Sequence, residues 1–362
     1  MKFLSLSILC AIVISLVKII LPNIIDNKIY SEVQIFLGYS GIVSAAGFSA
    51  ILKNKPNLIS KEDIKIVFFR YNFIYASISV VVLQFCFVFY QEQNIFLFFT
   101  ILIIGVAYDY LSQHALQHDS FSLAVKSEFI LFGLYLFLII GVPLEYIFLL
   151  LISYIFLNTY KFRFEYLKIY DFEQEYFSSL ISNSIYLLFP ALLALFSSNS
   201  VESANYISKF YIFNLSIAFN TLVLNKLLYS NSLKIRSIGL IIIILLFIEI
   251  VAYLAVLKID YFSIFRFNTW EILTGFFLIL SRTIYSFGYI SIRFIYSKLK
   301  HIQIEFLRFA STLILLFLSY LFCKKLEFIF LSFAIPSFLF GVIYLFNNEK
   351  IAFSSRSKKN SV

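Results

Sequence analysis

Long, uninterrupted apolar segments are the feature of this sequence that most limits what it can fold into. Most are about 17 to 22 residues long, the length that crosses about 30 Å of hydrocarbon as an α-helix. Segments such as Ile238–Val256 lack the apolar–polar alternation of a transmembrane β-strand. Apolar residues make up 61% of the chain and charged residues only 14%, which is too little charge to cover a soluble protein. The sequence therefore predicts an all-α, polytopic membrane protein without a soluble catalytic domain.

The apolar segments predict about twelve transmembrane helices. The fourth and the sixth are shorter than the others. The predicted spans are Phe3–Leu21, Val33–Ile51, Val67–Phe89, Ile95–Leu111, Phe121–Ile140, Leu144–Leu157, Phe177–Ser197, Ile207–Leu227, Ile238–Val256, Ile272–Ile292, Ile304–Phe322 and Phe328–Phe346.

The charges of the connecting loops predict the orientation of the chain. With the amino terminus inside, the inner segments hold about eighteen Lys and Arg residues and the outer segments about five. The formal net charge of +9 is scattered over these short loops, so it indicates contact with membrane lipids and not with nucleic acid. Both termini are therefore predicted to be cytoplasmic.

A polar, aromatic-rich segment divides the predicted spans into two groups of six. It lies between the sixth and seventh spans and reads YKFRFEYLKIYDFEQEY. Its interleaved rings and charges are typical of a segment that lies along the inner membrane face. The predicted organisation is an N-terminal six-helix lobe (1–160), a cytoplasmic linker (161–176), a C-terminal six-helix lobe (177–348) and a cytoplasmic tail (349–362).

The two predicted halves begin alike. Each opens with a span that carries a proline towards its outer end, Pro22 in one and Pro190 in the other. A short acidic loop and a Tyr-bearing helix follow, as DNKIYSEVQIFLGYSG and SNSVESANYISKFYIFNLS. Transporter repeats are commonly this weak in sequence, so the pattern favours an internal repeat.

Two stretches carry a family resemblance. They are IILPNIIDNKIYSEVQIFLGYSGIVSAAGFSAILKNK near the amino terminus and ISNSIYLLFPALLALFSSNSVESANYISKFY in the second half. Both resemble Wzx-type O-antigen and polysaccharide flippases, which belong to the MATE-like (MOP) superfamily of multidrug and toxin extruders. The resemblance implies two six-helix bundles around a central cavity that opens alternately to each side of the bacterial inner membrane.

The resemblance also implies a substrate and partners. The substrate would be an undecaprenyl-diphosphate-linked oligosaccharide, moved from the cytoplasmic to the periplasmic leaflet while its prenyl tail stays among the membrane lipids. The polysaccharide polymerase and the chain-length regulator are the implied protein partners.

Arg282 is the clearest candidate for holding such a substrate. It lies near the centre of the tenth predicted span, where a charge is costly and therefore indicates function. Its guanidinium could bind a diphosphate with two hydrogen bonds. The alternative is a structural ion pair with Glu249, which we take as the only mid-helix acid and as the candidate for ion coupling.

Five further residues are candidates for lining the cavity. Lys18 and Lys209 lie near the outer ends of the first and eighth spans, where they either receive the diphosphate or extend their ammonium groups to the interface. Asn183, Asn214 and Asn220 either bind sugar hydroxyls or bond neighbouring helices.

The sequence predicts neither a metal site nor a cofactor. His114 and His118 are spaced as ligands on one helical face, but no third ligand and no HExxH pattern accompanies them. The three cysteines are scattered singly over apolar segments.

Two alternative functions remain open at this point. An O-antigen polymerase or lipid-dependent glycosyltransferase would share the hydropathy, but the longest predicted outer loop, Leu257–Glu271, is too short to build a pocket alone. A small-molecule extruder of the same superfamily would need an acid at mid-helix depth in the N-terminal half. The acids of that half, including Glu128, are expected at helix ends.

Overall fold

The structure is a computed structural model, and it describes part of the chain. The described residues are 13–14, 16–38, 104–105, 108, 121–143, 146–147, 149–151, 153–154, 181, 189–214, 247, 267–292 and 298–359. Within them the regular elements are all helical. The longer ones are α1 (27–38), α2 (Phe121–Ile140), α3 (Phe189–Phe196), α4 (200–214), α5 (Thr269–Ile292), α6 (Lys298–Phe322) and α7 (Leu326–Lys359).

The all-α prediction is confirmed for this part of the chain, and several helices lie where the spans were expected. Helix α2 has the predicted bounds, and α5 and α6 end at the predicted residues. Helix α7 runs past the predicted end of the last span to Lys359, because nothing after Gly341 breaks a helix. The count of twelve remains a prediction, since whole predicted spans such as Val67–Phe89 lie outside the described residues.

The chain divides into two compact units. They are Met1–Ile207 and Ser208–Val362. The predicted linker, 161–176, lies outside the described residues, so the proposed lobe boundaries also remain predictions.

Polar caps explain why two helices begin earlier than hydropathy predicts. The Asp26 carboxylate accepts hydrogen bonds from the backbone N–H groups of Lys28 (2.8 Å) and Ile29 (3.2 Å), which starts α1 before the predicted Val33. At α4, the Asn199 side chain accepts a bond from the backbone N–H of Glu202 at 2.9 Å. Hydropathy does not register such caps because the capping residues are polar.

The Glu202 carboxylate completes the cap of α4. It accepts hydrogen bonds from the backbone N–H of Ser198 at 2.7 Å and from the hydroxyl of the same residue at 2.6 Å. These bonds favour the charged form and hold the pKa of Glu202 below its ordinary value. The cap thus closes the N-terminal end of α4 in the manner of a capping box.

Helix α6 exposes an apolar surface of the kind that a lipid-facing helix has. Its buried stripe contains the polar residues Glu305, Arg308 and Thr312, whereas a soluble helix would turn such residues to water. Apart from Gln303 near its start, its described exposed residues are apolar or aromatic. They are Phe306, Leu307, Leu313, Ile314, Phe317, Leu318, Tyr320, Leu321 and Phe322. Among the described helices, Ile302–Phe322 and Leu326–Leu345 are long and apolar enough to span a membrane, and the exposed apolar surface of α6 favours that reading.

Two glycines bring α5 and α7 into backbone contact. A Cβ added to Gly288 would lie 2.8 Å from the carbonyl oxygen of Gly341, and one added to Gly341 would lie 2.8 Å from the Cα of Tyr285. The helices approach this closely only because neither position carries a side chain. The contact sets Tyr285 beside Tyr344, with ring centroids 6.0 Å apart.

Gly341→Ala should therefore destabilise the protein. The new methyl group would meet backbone atoms of α5, which cannot move aside as a side chain can, and overpacking of this kind costs about 1–3 kcal/mol. A thermal melt of the detergent-solubilised protein measures the effect. Gly133→Ala in α2 is the matched control, because the nearest atom to its new Cβ lies at an ordinary 3.7 Å. Equal melting temperatures for the two variants would contradict the close approach of α5 and α7.

Candidate functional site: a buried arginine–tyrosine cluster

Five side chains of α5, α6 and α7 form a cluster in the unit Ser208–Val362. Glu305 lies at its centre: one carboxylate oxygen accepts hydrogen bonds from the hydroxyls of Tyr285 and Tyr344, each at 2.6 Å. The other oxygen accepts bonds from Arg308, at 3.1 Å from Nε and 2.8 Å from Nη2. We call Arg282, Tyr285, Glu305, Arg308 and Tyr344 the arginine–tyrosine cluster. It joins three helices through one carboxylate.

Both guanidinium groups of the cluster lie near the ring of Tyr285. The central carbon of Arg308 is 4.2 Å from the ring centroid, and that of Arg282 is 5.9 Å from it. Both distances are within the range of attraction between a cation and an aromatic face. Two arginines against one glutamate leave a positive charge in excess among these five residues.

The two arginines differ in their accessibility. Arg308 is completely buried, as is its partner Glu305, and their ion pair joins residues three apart on α6. Arg282 is only partly buried, although it lies near the middle of the 24-residue helix α5. Arg282 is therefore the cation of the cluster that a ligand could reach.

Local spacing places these groups without any special backbone conformation. Arg282 and Tyr285 are three residues apart on α5, as Glu305 and Arg308 are on α6, so each pair shares one helical face. Tyr344 reaches the same carboxylate from α7 because the Gly288–Gly341 contact brings that helix close. The cluster is thus a consequence of helix packing.

Lys209, a predicted cavity residue, is paired in the structure. Its ammonium group donates to both carboxylate oxygens of Glu271 at 2.9 Å and lies 5.2 Å from the ring centroid of Phe267. Lys209 and Glu271 are 5% and 6% exposed. The charge is therefore neither extended to the interface nor separate from an acid. A substrate-binding role for Lys209 remains a prediction.

Asn268 fixes the acid that holds Lys209. Its side chain accepts a bond from the backbone N–H of Glu271 at 2.7 Å, and its own backbone N–H donates to the Glu271 carboxylate at 3.0 Å. This reciprocal pair is a capping box at the start of α5.

Asn268→Ala should lower stability by about 1 kcal/mol, because the first turn of α5 loses its cap. The free energy of unfolding in a mild denaturant series measures this loss. Asn268→Ser is the control, since a serine hydroxyl can still accept the bond from Glu271. If both substitutions cost the same, the side-chain cap does not contribute to stability.

Lys18, the other predicted cavity lysine, acts on Glu128. The positive charge of Lys18 interacts electrostatically with the Glu128 carboxylate, and the Tyr108 hydroxyl lies 3.5 Å from one oxygen of that carboxylate. Glu128 is the eighth residue of α2, about 10 Å along the helix axis from its start. The expectation that this half of the chain has acids only at helix ends is wrong for Glu128.

The remaining predicted site residues are mostly not described. Asn214 lies in the last described turn of α4 and is partly buried. Asn183, Asn220 and the proposed coupling acid Glu249 lie outside the described residues. Their predicted roles in substrate binding and ion coupling remain predictions.

The sequence reasoning missed Glu305 and Arg308. Both fall near the start of the predicted span Ile304–Phe322. The prediction of Glu249 as the only mid-helix acid remains a prediction, because Glu249 lies outside the described residues. The available signal was an acid and a base three residues apart near the start of an apolar segment, which indicates an intramembrane ion pair. Averaged hydropathy conceals such a pair because the apolar residues around it dominate.

Comparison with known proteins gives one informative match. No protein-family model matches the chain, and no curated protein matches it significantly. Among solved structures, the chain is similar to a crystal structure of a MATE in complex with MaL6, with a TM-score of 0.50 and 11% sequence identity. The match covers 98% of this chain and 95% of the other.

The fold is therefore similar to that of this MATE over almost the whole of both chains. This likeness agrees with the fold that the sequence resemblance implied. At this level of identity it establishes the fold alone.

Proposed function

We propose that this chain is a MATE-like transporter that moves an undecaprenyl-diphosphate-linked oligosaccharide across the bacterial inner membrane, with both termini in the cytoplasm. The observation that carries the proposal is the position of Arg282. It is an accessible cation near the middle of a helix, in a chain with the fold of a transporter and no described soluble domain. A charge in that position is costly to insert and is retained for a function.

The composition of the arginine–tyrosine cluster supports an anionic substrate. Glu305 is paired with Arg308, and Arg282 adds a second positive charge near the Tyr285 ring. A guanidinium can hold a diphosphate through two parallel hydrogen bonds. The sugar-phosphate head would be attracted to Arg282 while the prenyl tail remains in lipid.

A small-molecule extruder is the second candidate, and Glu128 is the observation that favours it. A cationic substrate needs an acid within the bundle, and Glu128 lies well inside α2 with one carboxylate oxygen unbonded. Lys18 weakens this reading, because its positive charge interacts with that carboxylate and would repel a cation there. The anionic substrate is therefore the better supported of the two.

Deletion of the gene in its own host tests the proposal. Loss of a flippase should abolish surface polysaccharide and cause lipid-linked repeat units to accumulate inside the cell. Loss of a polymerase should instead leave single repeat units on the surface, because those units still cross the membrane. That second phenotype would assign the chain to the enzyme alternative.

Efflux of a cationic dye separates the extruder from the flippase. Cells that express the chain should retain ethidium as strongly as cells that lack it. Ethidium efflux that depends on Glu128, together with normal surface polysaccharide in the deletion strain, would overturn the flippase proposal.

A further inference from the structure

Helix α1 buries two polar side chains that have no hydrogen-bond partner. Gln34 is 0% exposed, and neither its amide nitrogen nor its amide oxygen is bonded. Ser31 is 6% exposed, and its hydroxyl is also unbonded. Buried side-chain polar atoms almost always find a partner, so three such atoms on one short segment require an explanation.

Ser31 and Gln34 lie on the same face of α1. They are three residues apart in a helix, which places their side chains one above the other. Tyr30, four residues before Gln34, and Ile35, four residues after Ser31, share this face and are 0% and 8% exposed. The face therefore offers uncharged donors and acceptors within an apolar surround.

The helix cannot easily turn to bring these groups to water. Asp26 fixes the first turn of α1 through the backbone N–H groups of Lys28 and Ile29. One turn before Gln34, the Tyr30 hydroxyl donates to the backbone carbonyl of Lys18 at 2.9 Å. The inward orientation of Gln34 is thus set by contacts on α1 itself and on the preceding helix.

We propose that Ser31 and Gln34 form a subsite of the N-terminal unit that binds the hydroxyl groups of a neutral sugar, and that the subsite is closed in this structure. The proposal rests on the proposed function, because it assigns the sugar part of the transported head group to this site. A carboxamide supplies two donors and one acceptor, and a serine hydroxyl supplies both. Together they match neighbouring sugar hydroxyls, and because neither Ser31 nor Gln34 carries a charge, the pair suits a sugar better than a phosphate.

The first test is the melting temperature of the unliganded protein. Gln34→Leu should raise it by about 1–4 °C, because leucine fills a similar volume and removes unsatisfied polar atoms. A lower melting temperature would show that the amide stabilises the fold, and it would overturn the subsite.

The second test uses two soluble probes in thermal-shift measurements. Farnesyl diphosphate reports diphosphate binding, and a farnesyl-diphosphate-linked disaccharide reports diphosphate and sugar together. In Gln34→Leu, the apparent affinity for the disaccharide probe should fall at least about tenfold relative to that for farnesyl diphosphate. The sugar hydroxyls would enter a buried site without the polar partner that the amide supplies, and such a site discriminates strongly against them. The shift given by farnesyl diphosphate should remain.

A matched control separates sugar binding from the loss of any buried hydroxyl. Ser31→Ala should reduce the sugar-dependent shift. Ser337→Ala should not, because the equally buried Ser337 hydroxyl already donates to the backbone carbonyl of Phe333.

The outcomes distinguish failure of this subsite from failure of the proposed function. If the sugar-dependent thermal shift persists in Gln34→Leu, the subsite proposal alone is wrong. The Gln34 amide would then be bonded to a buried water molecule instead. If neither probe shifts the wild-type protein, both the subsite and the flippase proposal are contradicted.

Discussion

Glu305→Gln is expected to destabilise the protein by about 3–5 kcal/mol. The substitution leaves the completely buried guanidinium of Arg308 without a counter-charge, and removing one partner of a buried ion pair has a cost of this size. The hydroxyls of Tyr285 and Tyr344 also lose a charged acceptor. A large fall in melting temperature and in the yield of folded protein should follow, measured by fluorescence-detected size exclusion after heating.

A double variant shows whether the pair itself causes that loss. In Glu305→Gln/Arg308→Met, glutamine still accepts a tyrosine hydrogen bond and methionine occupies much of the arginine volume. Most of the stability should return, since replacing both members of a buried pair is often nearly neutral. Glu327→Gln, the same chemical change at the first turn of α7, should cost less than about 1 kcal/mol. If the double variant is as unstable as Glu305→Gln, the destabilisation does not arise from the unpaired charge of Arg308.

The sequence predicts the helices better than it predicts their ends. The bounds of α2 follow from hydropathy, because lipid requires an apolar segment of that length. The starts of α1 and α4 depend instead on Asp26 and Asn199, polar caps that lie outside the apolar segments. No glycine or proline follows Gly341, so α7 continues beyond the apolar segment to Lys359.

The candidate site was only partly predictable for a different physical reason. Arg282 stands out in the sequence because a lone charge in an apolar segment is costly. Its neighbour Tyr285 is part of the site only because its hydroxyl reaches Glu305, which lies on another helix, α6. A sequence shows which charges are unusual, but the partner of each depends on tertiary packing.

Lys209 illustrates the same limit. From the sequence, a lysine near the end of a span either extends to the interface or faces the substrate path. The structure pairs it with Glu271, 62 positions away along the chain. Lys209→Met should therefore mainly lower the stability of the fold. It serves as a contrast for a substitution that mainly lowers transport.

Arg282→Gln is expected to abolish transport while leaving the protein folded. Unlike Arg308, Arg282 is partly accessible and lies 5.9 Å from the Tyr285 ring centroid, so its loss should disturb packing much less. Without the guanidinium, the diphosphate would lose two charge-assisted hydrogen bonds in a medium of low dielectric constant. Surface polysaccharide in a complemented deletion strain should fall at least about tenfold, which corresponds to about 1.4 kcal/mol of lost stabilisation along the transport path.

The charge-conserving variant distinguishes diphosphate binding from a purely electrostatic or structural role. Arg282→Lys keeps the positive charge but not the planar pair of donors, so transport should recover only in part. Arg282→Gln and Arg282→Lys should both melt close to the wild-type temperature, whereas Lys209→Met should melt lower. Full surface polysaccharide in Arg282→Gln at normal expression would remove Arg282 from the mechanism and, with it, the observation on which the flippase proposal depends.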